Sequence, residues 1–136
     1  MKHLKRFNES SLTRTELQDF CEGALAYLLD EDFKVSCDPF TDGGIIRWMI
    51  TITKLNAWDN FFYPDYRDYF IPFIQLLMRR YTLGTFSNDY IKGEDVKALM
   101  WNSKQWTPYT IEQLINGDDS IFGMTRTLKI RVDEKL

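Results

Sequence analysis

Two segments of alternating apolar residues, joined by a glycine turn, constrain the fold of this chain most strongly. In "FKVSCDPF" the apolar residues Phe33, Val35 and Cys37 alternate with polar ones, a pattern that predicts a strand with one buried face. The segment "TDGG", residues 41–44, follows, and Asp and Gly tolerate the positive φ angles of a tight hairpin turn. Because strands joined by such a turn must be antiparallel, the chain is restricted to folds with an antiparallel sheet.

The second strand of the predicted hairpin is "IIRWMITITK", residues 45–54. Its alternation predicts one face formed by Ile46, Trp48, Ile50 and Ile52, and an opposite face formed by Arg47, Met49, Thr51 and Thr53. Pro39 cannot donate a ladder hydrogen bond, so the first strand is expected to lie at a sheet edge or to end there.

A helix is predicted before the hairpin. In "LTRTEL", residues 12–17, Thr13 is placed to cap the amide of Glu16. Apolar residues then recur at helical spacing and form one stripe: Leu17, Phe20, Cys21, Ala24, Leu25, Leu28 and Leu29. Acidic residues 30–32 are unfavourable at the negative end of a helix dipole, so they are expected to mark its end.

The stretch "FFYPDYRDYF", residues 61–70, contains six aromatic rings and predicts a second helix. Pro64 suits its first turn, where the missing N–H has no partner to lose. Helical spacing places one stripe in the core: Tyr66, Tyr69, Phe70, Phe73, Ile74, Leu77 and Tyr81. Pro72 leaves two alternatives open, a kink inside one helix or a helix that begins near this proline.

The C-terminal half is patterned less clearly. A short strand is predicted in residues 85–92 and a short helix in "GEDVKALMW", residues 93–101. In "WTPYTIEQLING", Thr107 is the expected cap of a helix, Pro108 its first residue and Asn116-Gly117 its end. The alternation in "TRTLKIRV", residues 125–132, predicts a final strand.

These elements predict an α+β fold, an antiparallel sheet with helices packed on one face in the order α-β-β-α-(β/α)-α-β. With 136 residues, 44% of them hydrophobic, the chain has the size of one domain, expected over residues 11–136 after an N-terminal arm over 1–10.

Composition and cysteine content exclude several classes of protein. A net charge of −3 argues against a protein that is basic over its whole surface. No apolar run reaches the roughly 20 residues of a membrane helix, and no signal-peptide pattern follows the basic start, which predicts a cytoplasmic protein. Cys21 and Cys37 are predicted to be reduced core residues, and together with His3 they cannot build a closed zinc site.

No catalytic signature is present, so the chain is predicted to be a non-enzyme without cofactor or metal. His3 lies in the predicted arm, where no rigid surroundings would hold it as a base. Asp65 and Asp68 share a helix face and keep a weaker hydrolase hypothesis open, although a place near the first turn already explains them. Asp118-Asp119 is interpreted as part of a loop.

The sheet face opposite the helices is the first candidate binding surface. The alternation places on it Lys34, Arg47, Thr51, Lys129 and Arg131. Such a basic, largely non-aromatic strip suits phosphates, yet it lacks the rings on which single-strand binders stack bases. The competing interpretation is an ordinary solvated sheet face.

Three tryptophans form the second candidate. Trp101 and Trp106 bracket "NSKQ" in a predicted loop, and Trp58 precedes the aromatic helix. Exposed tryptophans often mark protein-binding hot spots, whereas the competing interpretation is that these rings cover the core.

Two segments resemble proteins of large tailed bacteriophages. The opening "MKHLKRFNES" resembles an N-terminal segment repeated at the start of many small, otherwise unrelated phage proteins. The stretch "FFYPDYRDYFIPFIQLLMRRY" is similar to a helix of small uncharacterised phage proteins. The resemblance implies a phage-encoded protein, acting in the bacterial host cytoplasm or in the virion, and no particular activity. Because catalytic signatures are absent and aromatic residues suited to a surface are abundant, the leading hypothesis is a non-catalytic protein that binds a host factor or virion component, and the alternative is a nucleic-acid accessory protein.

Overall fold

The computed structural model describes residues 12–56, 58–86 and 95–134. The predicted N-terminal arm, with His3 and the phage-like opening segment, lies outside these residues, as does most of the strand predicted within 85–92.

The structure contains an antiparallel sheet together with helices, which confirms the predicted α+β class. The helices are α1 (Arg14–Ala24), α2 (Ala26–Asp30), α3 (Tyr63–Arg80) and α4 (Ile111–Asn116), followed by a 3-10 turn (Asp119–Ile121). The strands are β1 (Phe33–Asp42), β2 (Ile45–Lys54), β3 (Phe61–Phe62), β4 (Tyr81–Leu83), β5 (Ala98–Trp101), β6 (Trp106–Tyr109), β7 (Met124–Thr125) and β8 (Thr127–Glu134).

Six strands of the described chain form one antiparallel sheet in the order β1-β2-β8-β5-β6, and β4 also pairs with β8. β4 and β5 thus lie one after the other along the same side of β8. The C-terminal strand β8 is therefore the centre of the sheet, with β2 on its other side. Strands β3 and β7 form a separate two-stranded pair.

The hairpin prediction is confirmed. β1 and β2 pair along their full lengths, and Gly43 and Gly44 turn the chain with φ angles of 60° and 83°. In the described chain β1 pairs only with β2, so Pro39 does lie on an edge strand. Gln18 of α1 covers part of this edge, because its side-chain amide donates to the Val35 carbonyl at 2.8 Å and accepts from the Cys37 amide at 3.0 Å.

The hydrophobic core lies between the helices and one face of the sheet. The sheet contributes alternate residues, including Val35, Ile50, Met100, Leu128 and Ile130. Cys21 and Cys37 are both fully buried free thiols with their sulfurs 3.8 Å apart. The neighbouring Cys37 thiol and burial together raise the pKa of Cys21.

The first helix begins as predicted, because the Thr13 hydroxyl accepts a hydrogen bond from the Glu16 amide at 3.1 Å. Its apolar stripe continues through a break at Leu25 into α2. This second helix ends at Asp30, the first of the acidic residues that were expected to mark the helix end.

The aromatic helix is also buried as predicted. Phe70, Phe73, Ile74 and Leu77 are all fully buried. Tyr66 packs edge-on against Phe33 at 5.0 Å between ring centroids, whereas Tyr69 is an exception and stays 43% exposed. Pro72 lies inside the continuous helix α3 on its exposed side, so the alternative of a helix beginning there is wrong.

Two predictions for the C-terminal half are wrong. The segment predicted as a helix contains β5, because its apolar residues Ala98 and Met100 alternate into the core while the backbone pairs with β8. Thr107 is not a helix cap but a residue of β6; the cap of α4 is Thr110, which forms a capping box with Gln113.

Candidate functional site

The sheet face that points away from the helices carries the predicted basic residues. The strand register places Thr51 opposite Lys129 and Met49 opposite Arg131, on the side opposite the buried residues Ile50 and Ile130. Lys34 and Arg47 follow the same alternation on β1 and β2. We call this surface the open face.

Arg47 is engaged in an ion pair on the open face. Its guanidinium pairs with the carboxylate of Asp133, and both side chains are about three-quarters buried. The register with β4 places Thr82 on the far side of this carboxylate. Asp133 therefore neutralises part of the predicted basic strip. Alternation within one strand could not reveal this ion pair, because Asp133 and Arg47 lie on different strands.

Arg131 is held between two rings. Its guanidinium lies 5.1 Å from the Phe40 ring centroid and 5.6 Å from that of Phe86, and it donates to the Thr85 carbonyl at 2.9 Å. Gly84 makes room for this arrangement, because a Cβ at position 84 would lie 3.0 Å from the Arg131 Cβ.

Both tryptophans of the predicted loop belong to strands on the open face. Trp101 ends β5 and Trp106 begins β6, directly opposite each other, with ring centroids 5.2 Å apart. The turn between them is held by Asn102, whose side-chain oxygen accepts from the Lys104 and Gln105 amides at 2.9 Å. The predicted loop is thus the turn 102–105, but the two rings that bracket it belong to the flanking strands, and the description of the face as largely non-aromatic is wrong.

Lys129 connects the aromatic and the basic parts of this face. Its ammonium lies 5.1 Å from the Trp106 ring centroid, a cation–π distance. Trp106 keeps 39% of its surface exposed and Trp101 is half-buried. Trp101, Trp106 and Lys129 thus place two ring surfaces and a cation side by side at one corner of the open face.

Lys97 is a further cation near this face that sequence reasoning missed. Its ammonium donates to Thr85 Oγ1 at 2.7 Å and to the Leu83 carbonyl at 3.2 Å, and it pairs with Asp95 at 3.3 Å. Hydrogen bonds from Thr85 and Lys97 and the lysine's charge lower the pKa of Asp95. Lys97 therefore joins β4 to the start of β5. Since a helix had been predicted for this segment, alternation could not place Lys97 on the face.

The other predicted site residues lie elsewhere. Trp58 lies in the loop between β2 and β3 and is 82% exposed. Asp65 and Asp68 are exposed on α3, and the described residues contain no group of three or more potential metal-ligating side chains. Asp119 pairs with Arg67 at 3.4 Å, and Asp118 accepts from Ser120, so both acids serve the loop after α4.

Comparison of the chain with known protein families, curated proteins and solved structures returned no match. None of the helices in the described ranges is long and apolar enough to cross a membrane.

Proposed function

We propose that the protein binds single-stranded nucleic acid on its open face. The observation that supports this most is the contact between Trp101, Trp106 and Lys129. From the sequence, we predicted a basic strip without aromatic rings and a tryptophan pair that was not assigned to any face of the sheet. In the fold the strip and the pair belong to the same face.

Stacking is the main physical term in this proposal. Base–aromatic stacking contributes roughly 1–3 kcal/mol per base and accepts any base, since every base has a π-face. Trp106 is exposed enough to stack with a base, and Lys129 beside it is placed to meet a neighbouring phosphate. A duplex hides its base faces, so the same surface favours a single strand over a duplex.

The electrostatic term is expected to be modest. Arg47 is neutralised by Asp133, and the guanidinium of Arg131 already contacts two rings and a carbonyl. Lys34, which is exposed on the edge strand, and Lys129 remain as the main phosphate contacts. For a single strand, two neutralised phosphates correspond to a slope of about −1.4 in log affinity against log salt concentration.

The test is fluorescence anisotropy with labelled oligothymidylate and oligouridylate of about 15 nucleotides, the upper range of such sites. Trp106→Ala removes one stacking surface and is expected to weaken binding by about 5- to 100-fold. Lys129→Gln is expected to make the salt slope shallower by about 0.7. Trp58→Ala is the matched control, because this exposed tryptophan lies outside the open face, and it should bind like the unaltered protein.

Two results would overturn the proposal. One is the absence of oligonucleotide binding at low salt, and the other is equal weakening by Trp106→Ala and Trp58→Ala. Reversing Arg47 to Glu is a poorer test, because it would place a second carboxylate beside Asp133 and destabilise the fold itself.

Phage origin, a non-enzymatic role and action in the host cytoplasm or virion remain predictions from the sequence. A single-strand-binding protein is compatible with each of them. The alternative of protein binding now depends on Trp58, since Trp101 and Trp106 belong to the open face.

A further inference from the structure

A second exposed aromatic surface lies among the helices, away from the open face. Tyr27 of α2 is 72% exposed and stacks on Tyr69 of α3, with ring centroids 5.6 Å apart. Leu55 and Trp58, in the loop after β2, are also largely exposed. We call the surface formed by these four residues and the neighbouring acids Asp30, Glu31, Asp32, Asp65 and Asp68 the acidic aromatic surface.

A ring stack and a backbone hydrogen bond connect the parts of this surface. The Tyr27–Tyr69 stack joins α2 to α3, and Asp30 lies one helical turn after Tyr27. The backbone then continues to Asp32, whose carbonyl accepts from the Leu55 amide at 2.6 Å. The loop that carries Leu55 and Trp58 is thus fixed to the end of α2.

The charge of this surface is negative. Asp65 precedes Tyr69 by one helical turn and so shares its side of α3, and the exposed Asp68 follows Asp65 by three residues on the same helix. Lys54 brings one positive charge to the end of α2, where its ammonium donates to the Glu31 carbonyl and lies 4.4 Å from the Phe33 ring centroid, but the five carboxylates of the surface outnumber it. Arg67 points to the loop after α4, where it donates to the Gly117 carbonyl at 2.7 Å.

We infer that the acidic aromatic surface docks a basic segment of a partner protein, one that carries arginine together with apolar side chains. Arginine suits this surface twice, since its guanidinium stacks on tyrosine faces and pairs with carboxylates. Exposed Trp and Tyr side chains supply the apolar anchors that dominate protein–protein binding energy. The inference does not depend on nucleic-acid binding, because none of these residues belongs to the open face.

The experiment uses a defined probe, a labelled synthetic amphipathic helix with arginines and leucines on one face. Its matched control has every arginine replaced by glutamate. The full chain is expected to bind the arginine peptide in a salt-sensitive manner and to ignore the glutamate peptide, because charge complementarity sets specificity.

Variants of the protein locate the contact. Tyr69→Ala and the double variant Asp65→Asn/Asp68→Asn are each expected to weaken peptide binding by about tenfold, whereas Lys129→Gln on the open face leaves it unchanged. Circular dichroism and thermal unfolding check that each variant folds; if Tyr69→Ala does not, the double variant, which keeps every ring, decides.

Three outcomes would overturn the inference. They are no binding of the arginine peptide, equal binding of the two peptides, and binding that persists unchanged in the double variant. Sedimentation of the protein alone tests a second copy of the chain as the occupant. Self-association that Tyr69→Ala abolishes would assign the surface to that copy instead.

Discussion

The position of the Arg131 side chain on the open face depends on Gly84, which has no side chain. Its guanidinium lies between Phe40 and Phe86 and bonds to the Thr85 carbonyl, and it passes directly over Gly84. The φ angle of Gly84 is not positive, so the glycine is required for space rather than for conformation. Because Gly84, just after β4, has no side chain, the Arg131 side chain of β8 can lie over it.

The change Gly84→Ala tests this packing. The added methyl would lie 3.0 Å from the Arg131 Cβ and 3.3 Å from its Nε, so the arginine side chain would have to shift by a few tenths of an ångström. We expect the free energy of unfolding to fall by about 1–3 kcal/mol, the usual range for overpacking.

Chemical denaturation measures this change, with Gly23→Ala as the control. Gly23 lies in α1 and has nothing within 4 Å of an added Cβ. There alanine should raise stability by up to about 1 kcal/mol through helix propensity alone. Equal effects of the two changes would contradict the packing argument.

The start of α4 illustrates how elements compete for the same residues. The pattern Thr-Pro suits a helix start at Thr107, yet the segment pairs with β5 and joins the sheet as β6. The helix then begins three residues later, where Thr110 accepts from the Gln113 amide at 3.1 Å and the Gln113 side chain accepts from the Thr110 amide at 2.9 Å. Sheet pairing thus shifted the helix start from one threonine to the next.

The pair Thr110→Ala and Thr107→Ala separates the two possible starts. Loss of the true cap is expected to cost about 1 kcal/mol of stability, because it leaves orphan amides at the start of α4. Thr107→Ala should lower the free energy of unfolding by only about a few tenths of a kcal/mol, the usual effect of a change in strand propensity. Urea denaturation measures both, and a larger loss from Thr107→Ala would contradict the assigned helix start.

β5 was predicted as a helix for a related reason. "VKALMW" is a short apolar run, in which helical and strand periodicities are hard to separate, and alanine, leucine and methionine favour a helix. β5 is a strand because its backbone pairs with β8, on the part of β8 that does not pair with β4. β8 lies nearly thirty residues later in the chain, so no pattern within this segment contains its pairing partner.

At the scale of the whole molecule, three buried phenols predict how stability depends on pH. Burial raises the pKa values of Tyr63, Tyr81 and Tyr109 above their ordinary value near 10. Tyr63 is fully buried and donates to the Leu114 carbonyl at 3.0 Å. Above pH ~10 these phenols ionise in the unfolded chain while the folded protein keeps them protonated.

Stability contributed by these phenols is therefore complete below pH ~10 and falls as the pH rises beyond it. Each phenol contributes a slope of up to about 1.4 kcal/mol per pH unit. Denaturation curves at several alkaline pH values should show a shallower decline for Tyr63→Phe than for the unaltered protein.

The molecule also separates its charges. Basic side chains and a tryptophan pair occupy the open face, whereas exposed tyrosines with carboxylates lie among the helices on the other side of the sheet. The net charge of −3 is a sum over the whole chain, so it does not reveal that basic and acidic side chains lie on different surfaces. A chain that is acidic as a whole therefore still presents basic side chains on one face of its sheet.

Local sequence patterns were sufficient to predict the elements with strong periodicity. These are the capped helix α1, the β1–β2 hairpin, the aromatic helix α3 and the final strand β8. Each is encoded within a few neighbouring residues, by a cap, a glycine turn or an apolar stripe, so its burial followed directly.

The meeting of residues across β2, β8 and β5 depends on long-range pairing. Trp101 and Trp106 joined Lys129 on the open face, and Asp133 neutralised Arg47, because β8 pairs with β2 on one side and with β5 on the other. The glycine turn sets the β1–β2 register locally, whereas the order and register of β2, β8 and β5 depend on contacts between segments far apart in the chain.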